Sequence, residues 1–204
     1  MSELIADRAP GSEQTSRAKR LRASTQAVHE QLDTSITLAR ILDSVEGYRR
    51  FVGMQFLFHR DIDALYRDER LQSVISGLEQ RRRLPLIERD LADLRLARPS
   101  QTGRPVFGAD ASADVATALG WLYVAEGSNL GASLLRKEVA KIGLSDTYGA
   151  RHLAPTAEGP AAHWRSFTDG LNAAPLNEEE EVRVVTGAQA AFAHVQALTD
   201  ACIL

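Results

Sequence analysis

The chain has 204 residues, of which 44% are hydrophobic, and this is enough for one well-packed core. Its net charge of −3 gives no support to nucleic acid as a partner. The single cysteine, Cys202, cannot form an internal disulfide, and no run of about 18 apolar residues could span a membrane. We therefore expect a soluble cytoplasmic protein.

The first sixteen residues carry two acids before Arg8 and no apolar run, so they do not have the form of a signal peptide. We expect residues 1–16 to form a disordered tail. No internal repeat or linker interrupts the rest of the chain, so residues 17–204 are expected to form one domain.

Long proline-free stretches dominate the chain. The stretches from Gly11 to Leu84 and from Val106 to Ala154 are rich in Ala, Leu, Arg, Gln and Glu, which favour helix. Period-2 alternation with β-branched residues is nearly absent. The sequence therefore predicts an all-α fold. The expected helices are Arg17–Ser35, Val45–Asp68, Leu71–Glu79, Leu86–Ala97, Ser112–Ile142, Ala161–Ala173 and Glu178–Ala201.

Three of these helices carry end signals. Asp43 and Glu46 have the spacing of a capping box at the second helix. Asn177 precedes a run of four glutamates, which is most simply an N-cap followed by acids at the positive end of the helix dipole. Gly143 follows the last periodic residue of its helix and predicts a C-terminal stop.

Three glycines lie on one face of a single predicted helix. Gly120, Gly127 and Gly131 fall within about 40° of one another on a helical wheel, and each costs about 1 kcal/mol relative to alanine. Tyr123 flanks this face and Ser128 lies at its rim, about 100° away. Either a neighbouring helix or a flat ligand could press against the bare backbone, and the residues alone leave both open.

The first predicted helix presents a histidine at the edge of its buried face. The apolar stripe of this helix consists of Leu21, Val28, Leu32 and Ile36. His29 lies at the margin of the stripe, Asp33 follows it by one turn and Arg22 precedes it by two. A carboxylate at this spacing can hold the Nδ1 proton and leave Nε2 as a neutral metal ligand. An ordinary half-buried histidine beside a surface acid is the other reading.

Several chemistries lack their motifs. Paired histidines with HExxH spacing and Cys/His clusters are absent, which argues against a zinc site. The sequence also lacks GxGxxG before a helix, GxxxxGK[ST] and GxSxG, so nucleotide binding and α/β-hydrolase chemistry have no support.

Two segments together resemble the bacterial members of the heme oxygenase family. They are TQAVHEQLD on the first helix and GWLYVAEGSNLGASLL on the glycine-bearing helix, and RDIDALYRDE, GARHLA, WRSF and LNEEEE follow the same pattern. Each motif is weak alone, but their order and spacing are fairly specific. The resemblance runs from about Arg17 to the C-terminus. It implies a single-domain helical bundle that holds heme between a proximal and a distal helix.

The resemblance also implies roles for residues on the proximal side and at the heme edge. His29 matches the axial iron ligand, and Asp33 takes the place of the carboxylate that orients it. Arg22 and Arg165 fall where family members place cations for the heme propionates. Tyr123, which flanks the glycine face, is also expected to contact the heme.

On the distal side, Gly127 and Gly131 match the family's glycines that lie over the heme face. Ser128 stands where some members carry an aspartate that anchors water. The distal water is therefore held by Ser128, by Asn129 or by backbone carbonyls. Asn129 stands where some bacterial members have lysine, and this leaves the rotation of the heme open.

The activity implied is oxidative opening of heme at a meso carbon to biliverdin, carbon monoxide and ferrous iron, with O2 and heme as both substrate and cofactor. No flavin or nicotinamide motif is present, so a ferredoxin or flavodoxin-type donor with its reductase is expected to supply electrons. The alternative is a heme carrier or sensor that uses the same residues. A helical phosphotransfer module fits poorly, because Glu30, Gln31, Leu32 and Asp33 follow the histidine. We expect a monomer; the meso carbon attacked and the biological purpose stay open.

Overall fold

The computed structural model describes residues 16–38, 40–99, 103–108 and 112–203, so the predicted tail lies almost wholly outside the described residues. Within the described ranges the regular structure is helical, which confirms the all-α prediction. Seven α-helices follow in order: α1 (Arg17–Leu38), α2 (Val45–Ile62), α3 (Glu69–Val74), α4 (Leu84–Asp93), α5 (Val115–Lys141), α6 (Pro160–Ala173) and α7 (Glu178–Cys202). Short 3-10 helices span Asp63–Arg67, Glu79–Arg81 and Arg151–Leu153.

The helix boundaries differ most from the predictions between α2 and α4. The helix predicted to reach Asp68 ends as α-helix at Ile62 and tightens into the 3-10 turn that follows. The next helix is shorter than predicted because Ile75 is extended and Gly77 has φ +69°. Helix α4 starts at Leu84, before Pro85, and not at Leu86 as predicted. Proline is tolerated there because backbone N–H groups in the first turn of a helix have no partner within the helix.

The predicted helix ends are partly confirmed. Ser44, and not Asp43, caps α2 by accepting a hydrogen bond from a backbone N–H of the first turn. The Asn177 side chain accepts from the Glu180 N–H at 2.9 Å, and the Glu180 carboxylate accepts from the Asn177 N–H at 2.8 Å. Helix α7 therefore begins with a capping box. Gly143 stops α5 with φ +84°, as predicted.

The core is built around the contact between α5 and α7. A Cβ added to Gly120 would lie 2.2 Å from the Val184 carbonyl oxygen, and one added to Gly187 would lie 2.3 Å from the Thr117 carbonyl oxygen. The two glycines thus let the backbones of α5 and α7 touch. Gly120 is a packing residue, and its cost in helix propensity is offset by this close approach.

Helix α1 packs on α7 and α6 and approaches α5 only slightly. Its start is fixed by buried Arg17, whose Nη2 lies 2.6 Å from the Glu181 carboxylate of α7. The second half of α5 is left open on the side that faces α1, where Leu134 is 64% exposed. No helix within the described residues combines the length and hydrophobicity that a bilayer crossing requires.

Candidate functional site

His29 lies on an exposed face of α1. Its Nδ1 is 3.1 Å from Asp33 Oδ2, and its side chain is 58% exposed. The ring meets the edge of Phe192 from α7 at a centroid distance of 5.6 Å. The carboxylate and the aromatic ring hold the imidazole from two sides, so Nε2 is the nitrogen available to an outside ligand.

The other four histidines are either buried or paired with a carboxylate. His59 is fully enclosed in α2, and burial lowers its pKa to about 3, aided by the charge of His152. His152 Nδ1 lies 2.7 Å from Asp90, and His163 Nδ1 lies 3.1 Å from Glu158. His194 Nε2 lies 2.8 Å from Asp61. His29 is the histidine that the fold leaves accessible.

The side of α5 that faces α1 is apolar, and beyond Gly127 it is open to solvent. A Cβ added to Gly131 would meet nothing within 4 Å, and Leu130 and Leu134 on the same face are exposed. At Gly127 an added Cβ would meet the Trp164 ring of α6 at 3.7 Å, an ordinary contact. The strip from Gly127 to Gly131 is therefore bare because no protein backbone covers it, unlike Gly120.

Tyr123 closes the buried end of this open face. Burial raises the pKa of its hydroxyl, while the Arg22 charge and the Thr25 side chain act in the opposite direction. Its ring lies 5.6 Å from that of Trp164. The charge of Arg22, which the sequence assigned to the same ligand, thus reaches Tyr123. Arg165 lies on the exposed surface of α6, next in sequence to Trp164.

The two predicted water-holding residues face different directions. Ser128 is exposed at the rim, and its hydroxyl donates to the Ala125 carbonyl oxygen at 2.7 Å. Asn129 lies about 200° from Gly127 around the helix and lines a cavity on the far side of α5. The structure therefore brings Ser128 to the edge of the open face and does not bring Asn129 there.

A buried polar network lies directly before Gly127, and sequence reasoning missed it. Glu126, 1% exposed, accepts from the Tyr66 hydroxyl at 3.0 Å and from Arg81 Nη1 at 3.0 Å. Arg81 also donates to Ser166 Oγ of α6 at 2.6 Å. Arg81 is itself buried, at 5% exposed, and its guanidinium compensates the charge of the buried Glu126 carboxylate. The network fixes α5 to α6 where the open strip begins.

Thr25, Phe192 and Trp164 also border the site without having been predicted. Thr25 precedes His29 by four residues and so shares its face of α1, a signal the sequence did contain. Trp164 stood in the WRSF motif. The position of Phe192 on α7 had no local signal, because it depends on how α7 packs against α1.

The arrangement suits a flat ligand that brings its own metal. Among the described residues no group of three His, Cys, Asp or Glu side chains converges to hold a bare ion. A single accessible imidazole opposite a bare, apolar backbone strip instead matches a metal already held in a planar macrocycle. Arg22 on α1 and Arg165 on α6 are exposed cations.

Comparisons with known proteins agree with this geometry. A family model described as heme oxygenase matches residues 15–201. The chain is 40% identical over 184 residues to heme oxygenase PigA of Pseudomonas aeruginosa, covering 88% of this chain and 89% of that protein. It is 35% identical over 124 residues to a heme oxygenase of Xanthomonas campestris, covering 58% of this chain and 68% of that protein.

The fold matches solved structures as well. The NO- and CO-bound heme oxygenase of Neisseria meningitidis superposes with a TM-score of 0.85 at 37% identity, covering 92% of each chain. Heme oxygenase-1 of a Synechocystis cyanobacterium, in complex with heme, matches in fold alone, with a TM-score of 0.72 at 17% identity and 92% coverage of each chain. The resemblance seen in the sequence is confirmed: the chain belongs to the heme oxygenase family.

Proposed function

We propose that this protein opens heme at a meso carbon to give biliverdin, carbon monoxide and ferrous iron, with His29 as the iron ligand. The observation that carries the proposal is the pairing of an exposed, carboxylate-held imidazole on α1 with the open strip Gly127–Gly131 on α5. Membership of the heme oxygenase family supports the reaction class.

Bound heme supplies the iron centre that activates O2 and is itself the molecule oxidised. The proximal residues set the character of the iron ligand. Asp33, 3.1 Å from Nδ1, holds the ring in the tautomer that keeps Nε2 unprotonated. A neutral imidazole donates less electron density to iron than a cysteine thiolate does.

The distal residues exclude competing groups from the oxygen side. The open face of α5 between Gly127 and Leu134 carries no carboxylate and no imidazole, so protons come from water. The Ser128 hydroxyl at the rim donates its hydrogen bond to the Ala125 carbonyl oxygen. Its own oxygen is therefore free to accept a hydrogen bond from such a water. The glycines leave room for the heme plane close to the helix backbone.

The edge residues orient the ligand. Arg22 is an exposed cation of α1 whose charge reaches Tyr123, and Arg165 is an exposed cation of α6 next in sequence to Trp164. Cations and a hydroxyl are suitable partners for the two propionate carboxylates. We propose that these contacts select the rotation of the heme and so the meso carbon attacked.

The remaining partners are part of the same proposal. Electrons come from a separate ferredoxin or flavodoxin-type donor with its reductase, and the protein works as a monomer in the cytoplasm. Residues 17–204 act as one domain.

The test is reconstitution with heme, O2 and a chemical reductant, followed by chromatography of the bilin formed. We expect loss of the Soret band and one dominant biliverdin isomer. An unchanged Soret band would instead support a heme carrier or sensor. Arg22→Leu should alter the isomer ratio, whereas Arg89→Leu, which removes an exposed cation from α4, should not. Equal isomer ratios in the two variants would contradict the role of Arg22.

A further inference from the structure

A small cavity of about 20 Å³ lies behind α5, on the side away from Gly131. It is enclosed by α5, the segment 153–156 and the start of α6. Its polar lining consists of Arg83, Asn129, Ser133, Thr156, His163 and Arg136, and the last of these is paired with Asp146. About 10–15 Å³ is enough for one water-sized particle, so the cavity accepts one small occupant.

Three buried polar atoms in the cavity lining have no hydrogen-bond partner. They are Asn129 Nδ2, Thr156 Oγ1 and His163 Nε2. His163 Nε2 lies 3.2 Å from Glu126 Oε2, but the two are not aligned for a hydrogen bond. The Asn129 amide nitrogen can only donate and the Thr156 hydroxyl can donate, whereas His163 Nδ1 already faces the Glu158 carboxylate, so that its Nε2 donates only in the imidazolium form. An occupant that accepts hydrogen bonds would satisfy both Asn129 Nδ2 and Thr156 Oγ1.

The same cavity holds a cation without a carboxylate. Arg83 is 9% exposed, and its Nη1 donates to the Ala154 carbonyl oxygen at 3.0 Å. In the described part of the chain no carboxylate lies within 4.0 Å of its guanidinium. The nearby Glu126 carboxylate forms its ion pair with Arg81 instead. Burial lowers the pKa of Arg83, and the more distant charge of Glu126 opposes that shift. Two buried guanidinium groups therefore share one buried carboxylate.

We infer that this cavity binds one small monovalent anion of the size of chloride, held by Asn129 and Thr156 beside the Arg83 charge. A water molecule would fill the space and accept hydrogen bonds, but it would leave the second guanidinium uncompensated in a buried site. An anion meets both demands. Because Asn129 lies between Gly127 and Gly131 in sequence, the bound anion would also tie α5 to the segment 153–156 behind the open strip.

Crystallography with bromide tests the site directly. Crystals of the full chain grown without halide and soaked in sodium bromide should show an anomalous peak in the cavity, within hydrogen-bond reach of Asn129 Nδ2 and beside Arg83. A peak without anomalous signal at that position, hence a water, would overturn the inference.

A solution experiment tests the same site with matched variants. At constant ionic strength, replacing gluconate by chloride should raise the melting temperature of the heme-free protein in a saturable way. Arg83→Met should weaken chloride binding about tenfold or more, since hydrogen bonds to charged groups are the stronger class. Arg89→Met removes an exposed cation from α4, the helix that begins directly after Arg83, and should leave chloride binding unchanged. Equal responses of the two variants would refute the site.

Loss of folding in Arg83→Met would not end the test. Thr156→Val keeps the shape of the side chain and removes one donor, so it should weaken chloride binding while the protein remains folded. Wild-type chloride binding in Thr156→Val, together with an absent bromide peak, would count against the site. None of these readouts depends on heme.

Discussion

Replacing Gly131 and Gly120 by alanine, one at a time, should change stability in opposite directions. Alanine in a helix is worth about 1 kcal/mol over glycine. At Gly131 an added Cβ meets nothing within 4 Å, so this gain is realised in full. At Gly120 the Cβ would lie 2.2 Å from the Val184 carbonyl oxygen, whereas real Cβ contacts are essentially never under 3.0 Å. Helices α5 and α7 would have to separate, and overpacking costs about 1–3 kcal/mol or more.

We therefore expect Gly131→Ala to raise the free energy of unfolding by about 1 kcal/mol and Gly120→Ala to lower it by about 2 kcal/mol. For a chain of this length each kcal/mol shifts the melting temperature by about 2–4 °C. Urea unfolding of the heme-free protein, followed by circular dichroism, measures both changes.

Variants at the same two glycines separate stability from function. Bulk at Gly131 occupies the space proposed for heme, so Gly131→Leu should lose product yield while the heme-free protein stays folded. Gly120→Ala should lose stability without a specific loss of turnover at a temperature where it is folded. If Gly131→Ala destabilised the protein and Gly120→Ala did not, the division of the glycine face into a packed part and an open part would be wrong.

Three further outcomes follow from the site and its surroundings. His29→Ala should abolish biliverdin formation and be partly rescued by added imidazole; normal turnover without imidazole would contradict axial ligation by this residue. Glu126→Gln should destabilise the protein by about 3–5 kcal/mol in urea unfolding, because it leaves Arg81 buried without its carboxylate, whereas Glu138→Gln at a surface pair should change stability by less than about 1 kcal/mol. Burial lowers the pKa of His59 to about 3, below its unfolded value, so its neutral form contributes stability that is full above about pH 6.5 and is lost as pH falls toward 3. His59→Gln should flatten the loss of stability between pH 7 and pH 4.5, and identical pH profiles for the variant and the wild type would exclude this contribution.

Much of the helical architecture could be predicted from local signals. The proline-free stretches, the Asn177 cap and the Gly143 stop each depend on a few neighbouring residues, and all three appear in the structure. Boundaries failed where a nearby residue changed the backbone, as at Ser44, which took the cap expected of Asp43. The resemblance to heme oxygenases also rested on short motifs in order, and the comparisons confirm it.

The sequence by itself determined the class of fold, the family and the pairing of His29 with Asp33, which helix periodicity places one turn apart; the exposure of His29 was decided by the tertiary structure. Only the tertiary structure decided what the glycines do. On a wheel Gly120 and Gly131 are equivalent, but α7 crosses the first and nothing covers the second. The buried partners of Arg81 and the direction of Asn129 likewise depend on contacts between residues far apart in sequence, which no local pattern encodes.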